Sequence, residues 1–280
     1  MKTGFIIINY NDAKTTQTLI ENIKDYKVLD EIVIVDNAST DDSYQVLQKL
    51  VNSKITILKA PTNKGYGAGI NLAAKYLIQK YSKCNLIISN ADIIIKTEQD
   101  IKELLKLFKK DVAVVAPKII EHNQKNRGWH LSTPWQEIGQ SIPFLYSRIE
   151  KKYRYYPKEH YQKGTSFVDV VSGCFFLING QVLKEIGYFD ENVFLYYEEN
   201  ILASKLKKVK KKTVIANHIE VIHNHSVSID KSLRKYKKTK ALKKSQEYFT
   251  KEYLDASFLQ RAILFLVNRL SLGIKFILQK

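Results

Sequence analysis

Cysteine is almost missing from this 280-residue chain. There are two, Cys84 and Cys174, each inside an apolar run. Thiols so few and so placed exclude a disulfide framework and point to a reducing compartment. No apolar run approaches the roughly 18 residues of a membrane-crossing helix. The opening MKTGFIIINYN carries too short an apolar stretch for a signal peptide, so no leader is expected. There is no internal repeat. A zinc pattern, a helix-turn-helix signature and a basic first half are all lacking, which argues against nucleic acid as the partner. The dinucleotide fingerprint Gly-x-Gly-x-x-Gly is lacking too: NKGYGAGIN places Gly65, Gly67 and Gly69 at alternate positions instead.

What is present suffices for one large α/β domain, alone or with an appendage: 45% of residues are hydrophobic and 26% charged. The formal net charge is +17, and residues 201–280 hold 19 Lys and Arg against 5 Asp and Glu, an excess of 14. So basic an end suits an anionic surface.

Continuous β-branched runs at GFIIINY, EIVIVDN, KITILKA, CNLIISNAD and VAVVAP read as buried strands, with helices expected over 12–25, 41–50, 68–80 and 98–110. This alternation implies a mainly parallel sheet. VDVVSGCFFLI (168–178) reads as one further buried strand, 180–187 and 198–210 as helices, and TVIANHIEVIHNH as extended chain. From about 231 the chain reads as helical, lysine-rich and then apolar.

Ligands in such sheets bind beyond the carboxyl ends of the strands. Those ends carry Asn9-Tyr10-Asn11, Asp36-Asn37 and Asn90-Ala91-Asp92. A carboxylate there can accept from a base or a ribose hydroxyl, or hold Mg²⁺ or Mn²⁺ against a diphosphate. Asp36 reads equally well as a helix cap, because Asp-Asn-x-Ser is good turn chemistry. At Asp92 the metal reading leads, since a polar Asn90-x-Asp92 closes an otherwise apolar strand.

Five stretches carry a resemblance: VDNASTDDS, NKGYGAGIN, SNADI, VSGCFFLI and GYFDENVFLYYEENILASKL. In order and spacing they resemble family 2 glycosyltransferases, most of all the bacterial rhamnosyltransferase-like branch, over roughly residues 3–226. The resemblance implies a GT-A fold: a mainly parallel twisted sheet flanked by helices. It also implies a nucleotide-sugar donor, Mn²⁺ or Mg²⁺, and inversion at the anomeric carbon. By position, Asn9, Tyr10 and Asp36 fall in the nucleobase and ribose pocket. Asn63, Gly65, Gly67 and Asn71 belong to a loop whose glycines let backbone approach the donor, and Gly173 falls in the donor site. Asn90 and Asp92 take the place of the family's Asp-x-Asp, with Asp92 as the metal ligand. Glu198-Glu199 matches the family's Glu-Asp pair, and the acceptor-activating base falls on Glu199, with Glu198 the other choice. The family's later acid falls on Ile201 and its usual Arg on Lys205. His223 and His225, which share one face of an extended stretch, match a histidine that joins the metal or diphosphate; a pair of surface histidines is the plain alternative. Trp129, His130 and Trp135 can stack on an acceptor sugar or sit in the core, and Glu198 is a further acceptor candidate.

The expected organisation is a catalytic domain over 1–226, split into a nucleotide-binding half (1–117) and an acceptor-binding half (118–226), followed by a helical basic segment over 227–280. The expected activity is inverting transfer of a sugar, rhamnose favoured, in cell-surface polysaccharide synthesis. The donor would be dTDP-rhamnose or a UDP-sugar, and the acceptor a glycan or lipid-linked glycan. Rival readings are an impaired sugar-binding protein and a nucleic-acid-binding protein. FLQRAILFLVNRLSLGIKFILQK, with the lysine runs before it, reads as a basic amphipathic segment lying on an anionic membrane. That places the protein in the cytoplasm, peripheral at the inner face of the plasma membrane. Packing on the catalytic domain, or an oligomer contact, is the other reading of this segment.

Overall fold

A computed structural model describes residues 1–121, 124–224 and 231–277. The first half is β1 (Lys2–Asn9), α1 (Ala13–Ile23), β2 (Glu31–Asp36), α2 (Ser43–Gln48), β3 (Ile55–Lys59), α3 (Tyr66–Lys80), β4 (Cys84–Ser89), β5 (Ile93–Ile95) and α4 (Glu98–Lys106). Then come β6 (Val112–Glu121), β7 (Gln124–Asn126), α5 (Pro134–Ser141), α6 (Pro143–Ile149), β8 (Thr165–Val168), β9 (Phe175–Asn179) and α7 (Gly180–Glu185). The chain continues through α8 (Glu198–Lys208), β10 (Lys212–His223), α9 (Lys231–Tyr253) and α10 (Phe258–Ile277).

One sheet runs in the order β3-β2-β1-β4-β9-β6-β10-β5, with β7 beside β6 and β8 beside β10. Alternation sends each strand's side chains to two layers. Phe5 and Ile7 of β1 meet Leu19, Ile20 and Ile23 of α1 on one face, whereas Ile6 meets Ile70, Ala73 and Leu77 of α3 on the other. With both faces covered, these strands are apolar throughout. Caps fix where the helices start: Asp12 accepts from the Thr15 amide before α1, and Thr97 and Thr133 form capping boxes with Asp100 and Gln136.

The sheet is mixed. Pairing is parallel through β3-β2-β1-β4 and between β6 and β10, and antiparallel where β5, β7, β8 and β9 join. The run read as one strand over 168–178 is two. β8 pairs with β10, β9 with β4 and β6, and the chain crosses between them with Val170 bridged to Trp129. Hydrophobicity cannot reveal such a crossing, because Val168, Val170 and Val171 are buried on the way to β9. The segment beyond residue 230 packs on the rest. α9 lies against α8 and α5, and α10 against α9 and α5, with Phe249, Leu264 and Leu272 buried.

Candidate active site

The carboxyl ends of β1 and β4 open into a cleft of about 330 Å³. Asn9, Tyr10, Asp12, Asn37, Asn63, Gly65, Tyr66, Asn90 and Asp92 line it, and Phe194 and Leu195 close one side. Asn9 is 1% exposed and oriented from three sides. Its amide donates to Asp36 Oδ1 (3.1 Å) and to Ser39 Oγ (3.2 Å), and its carbonyl oxygen accepts from Thr16 (2.9 Å). Asn37 donates to Asn63 Oδ1 and to the Gly65 carbonyl oxygen, which ties β2 to the glycine loop.

At the far end of the cleft His223, at the end of β10, places Nε2 3.1 Å from Asp92 Oδ1 and Nδ1 3.4 Å from Glu121. Asn90 Nδ2 is 3.5 Å from the same Nε2. Burial pulls the His223 pKa down, but bonds to Asp92 and the Cys174 thiol outweigh it and raise the value to about 10. No group of three or more His, Cys, Asp or Glu that could hold a metal occurs among the described residues. One carboxylate and one imidazole, the latter backed by Glu121, would fit a divalent cation that displaces the imidazole's Nε2 proton and takes its remaining ligands from a diphosphate. His225 lies outside the described residues.

A second cavity of about 230 Å³ lies on the α5 side. Its walls carry tyrosines (Tyr146, Tyr153, Tyr196), amides (Gln136, Gln140, Asn200, Gln246), Arg154 and Glu199. Tyr66 lines the first cavity, and its hydroxyl donates to the Gly173 carbonyl oxygen at 3.2 Å. A β-carbon built on Gly173 would lie 3.8 Å from Glu199 Oε2. Burial raises the Glu199 pKa, against the opposing field of Arg154. Glu198, 7% exposed, lines neither cavity, and its Oε1 lacks a hydrogen-bond partner among the described residues. Burial and then the Glu199 charge push its pKa up to about 8.

The sequence profile described as Glycosyl transferase family 2 matches residues 5–187, well over half of the chain. The chain belongs to glycosyl transferase family 2. A relative of this family member is the low-salt glycan biosynthesis hexosyltransferase Agl10 of Haloferax volcanii, 25% identical over 226 residues, or 80% of this chain and 67% of that one. The Pyrobaculum calidifontis mannosyltransferase PcManGT, solved with GDP-Man and Mn²⁺, has a TM-score of 0.61 at 15% identity and covers 99% of this chain and 73% of its own. S. aureus TarS 1-349 with UDP-GlcNAc has 0.56 at 16%, covering 97% and 73%. The two likenesses to solved structures are of fold, and they establish the GT-A architecture.

Within this family member the structure gathers Asn9, Tyr10, Asn63, Gly65, Asn90, Asp92 and His223 at the first cavity, and Trp129, His130 and Glu199 at the second. It moves others out. Asp36 is fully buried behind Asn9 and takes the Ser39 amide in the turn that follows β2. Asn71 is spent on the loop ahead of α8, bonding Phe189 N and O and Glu191. The glycines admit that same loop: a β-carbon on Gly65 would lie 2.2 Å from the Phe194 carbonyl oxygen, and one on Gly67 3.2 Å from the Phe189 β-carbon. What approaches Gly65 and Gly67 is this chain's own backbone. Trp129 is 7% exposed, with its indole N–H on Asn200 Oδ1 and the Arg154 guanidinium on its ring, so it serves mainly as a wall. Trp135 is exposed and outside the second cavity. Glu198 lies outside that cavity as well. The sequence reading named Asn37 only as part of a strand end, and it missed Tyr66, Phe194, Arg154 and Gln246. Asn37 was within reach, beside Asp36 in the same motif; Gln246 comes from α9, where lysines dominate the pattern.

Proposed function

We propose that the protein transfers a sugar from a nucleotide diphosphate donor to an acceptor hydroxyl with inversion, using Glu199 as the base. The observation that carries this is the adjacency of the two cavities. Tyr66 and Gly173 separate a strand-end cleft from a polar, tyrosine-lined pocket, and Glu199 stands in the pocket wall beside that partition. The nucleotide occupies the cleft between Asn9, Tyr10, Asn37 and Asn63. Asp92 and His223 would hold Mn²⁺ or Mg²⁺, which neutralises charge on the leaving diphosphate. The acceptor sugar enters the tyrosine-lined pocket and lays its hydroxyl against Glu199, which takes the proton as that oxygen attacks the anomeric carbon. A raised pKa suits a carboxylate to that role near neutral pH.

The donor preference proposed is for dTDP-rhamnose, on motif resemblance; UDP-hexoses and GDP-mannose are the comparison set, since relatives act with hexoses. The acceptor is a glycan or lipid-linked glycan in surface polysaccharide synthesis. Docking at the inner face of the plasma membrane is supported by α10. Leu264, Asn268 and Leu272 pack inward, while Phe258, Leu259, Phe265, Leu266 and Leu270 are exposed on the outer face. Exposed Lys237, Lys238, Lys240 and Lys244 of α9 supply positive charge. No described helix is long and apolar enough to cross a membrane.

The test is a calorimetric titration of nucleotide diphosphates with and without Mn²⁺, followed by product analysis with the donor that binds. Nucleotide binding that ignores both metal and the Asp92→Ala change would refute the metal assignment. Absence of any nucleotide binding would refute the whole reading.

A further inference from the structure

The residue just before α8 is held in an unfavourable conformation. Tyr196 and Tyr197 both have φ of +70°, a left-handed backbone that bulky side chains rarely adopt. Such strain persists only where the surroundings over-determine it, and here they do. The Tyr197 hydroxyl donates to Glu137 Oε2 at 2.6 Å, and its ring packs on Phe249 of α9. Glu137, on α5 and 2% exposed, also accepts from Gln246 Nε2 of α9 at 2.8 Å and from the Ser132 hydroxyl. All three donors are neutral. A carboxylate so buried and so fully engaged is a rigid anchor. The anchored residue is also the first hydrogen-bonding residue of the helix that bears the base, since the Tyr197 carbonyl oxygen accepts from the Ile201 amide at 2.9 Å.

Adjacent residues at a helix start point about 100° apart. The direction of Tyr197 therefore decides which of Glu198 and Glu199 faces the pocket. We propose that Glu137 and Tyr197 are positioning residues for the base: the buried carboxylate holds the Tyr197 hydroxyl, and that hold turns α8 so that Glu199 stands beside Gly173. Neither residue exchanges a proton with substrate in this scheme. The proposal rests on the glycosyl-transfer reading given above, and α9 belongs to the catalytic apparatus through Gln246 and Phe249.

The experiment compares wild type, Tyr197→Phe, Glu137→Gln and the double variant in steady-state transfer, with nucleotide binding measured separately by calorimetry. Misplacing a reacting group by about 1 Å can cost around 100-fold. Each single variant is expected to lower kcat by roughly 10- to 100-fold while nucleotide affinity and donor KM stay within about twofold of wild type. The double variant should be no slower than the slower single, because both changes break one connection. The ascending limb of the pH–rate profile should move in both single variants, since the environment of Glu199 changes. Unchanged kcat with only a lowered melting temperature would overturn the proposal, as would additive effects or a loss confined to acceptor KM. Should Glu137→Gln not fold, Tyr197→Phe, which removes one hydroxyl, decides alone. Inactive wild type that binds nucleotide would refute the transfer reading instead.

Discussion

His223 Nε2 sits 3.1 Å from Asp92 Oδ1, though 131 residues separate the two in sequence. The pair stands at the end of the cleft proposed for the donor, and replacing Asp92 tests it. Asp92→Ala should abolish metal-dependent nucleotide binding; the melting temperature should fall as well, because buried His223 loses its carboxylate partner, so binding is compared at a temperature where both proteins are folded. His223→Ala should weaken metal-dependent binding less, since a hard cation leans on the carboxylate. Titration of Mn²⁺ into protein and nucleotide, with EDTA as control, measures both.

The two adjacent acids of α8 should separate in kinetics. Losing a general base typically costs ~10²–10⁴-fold in rate. Glu199→Gln should cut kcat by that order and spare nucleotide affinity, while Glu198→Gln should do less. If Glu198→Gln is the more damaging, the base is Glu198.

Glu198 also makes a stability prediction. Its pKa rises from 4.5 to about 8 in the folded chain. Between those values the folded protein retains a proton that the unfolded chain has released. Stability therefore falls as pH rises through that window. Urea unfolding at pH 5, 6.5 and 8 should show the decline, and Glu198→Gln should flatten it. An equal slope in the variant would assign the decline to other groups.

Gly65→Ala tests the close approach at the glycine loop. The added methyl meets the Phe194 carbonyl oxygen at 2.2 Å, at a φ of +103°. Backbone must shift, so both stability and nucleotide affinity should drop, the latter because Phe194 and Leu195 wall the cleft. Gly164→Ala, where nothing lies within 4 Å, is the control.

The outer face of α10 can be tested without cutting the chain. Leu259→Glu with Leu266→Glu should abolish sedimentation with anionic vesicles and change the melting temperature little, as both side chains are exposed. Wild-type binding should weaken with salt without vanishing, because the apolar contact is not screened. Ending the chain near residue 230 is a poorer test, since it also removes Gln246 and Phe249.

Much of the fold was legible because buried strands announce themselves. The runs around Ile6, Val33 and Ile87 are apolar on both faces and follow one another at βα spacing. The break between Val168 and Phe175 was not, since apolar character does not say which neighbour a strand pairs with. Strand-end polarity located Asn9, Asn90 and Asp92, and motif order located Glu199. Asn71 and Asp36 bond the chain itself in the fold, which sequence does not show: a polar residue beside a cleft looks the same whether it faces the ligand or the chain. The partners of Glu137 stayed hidden because Tyr197 and Gln246 lie 60 and 109 residues away.

The loop from Gly187 to Tyr197 is fastened at several points along its length. Asp190 accepts from Tyr248 and Tyr253, the Leu195 carbonyl oxygen accepts from Ser245, and Tyr197 rests on Phe249. All of those fasteners come from α9. The family profile stops at residue 187, just where this loop begins. For anyone recombining members of the family, the unit of exchange is thereby defined. A junction between α8 and α9 pairs the loop with a stranger, whereas one after Gly187 that carries everything through α10 keeps these fasteners and leaves the Asn71 and Gly65 contacts to be matched.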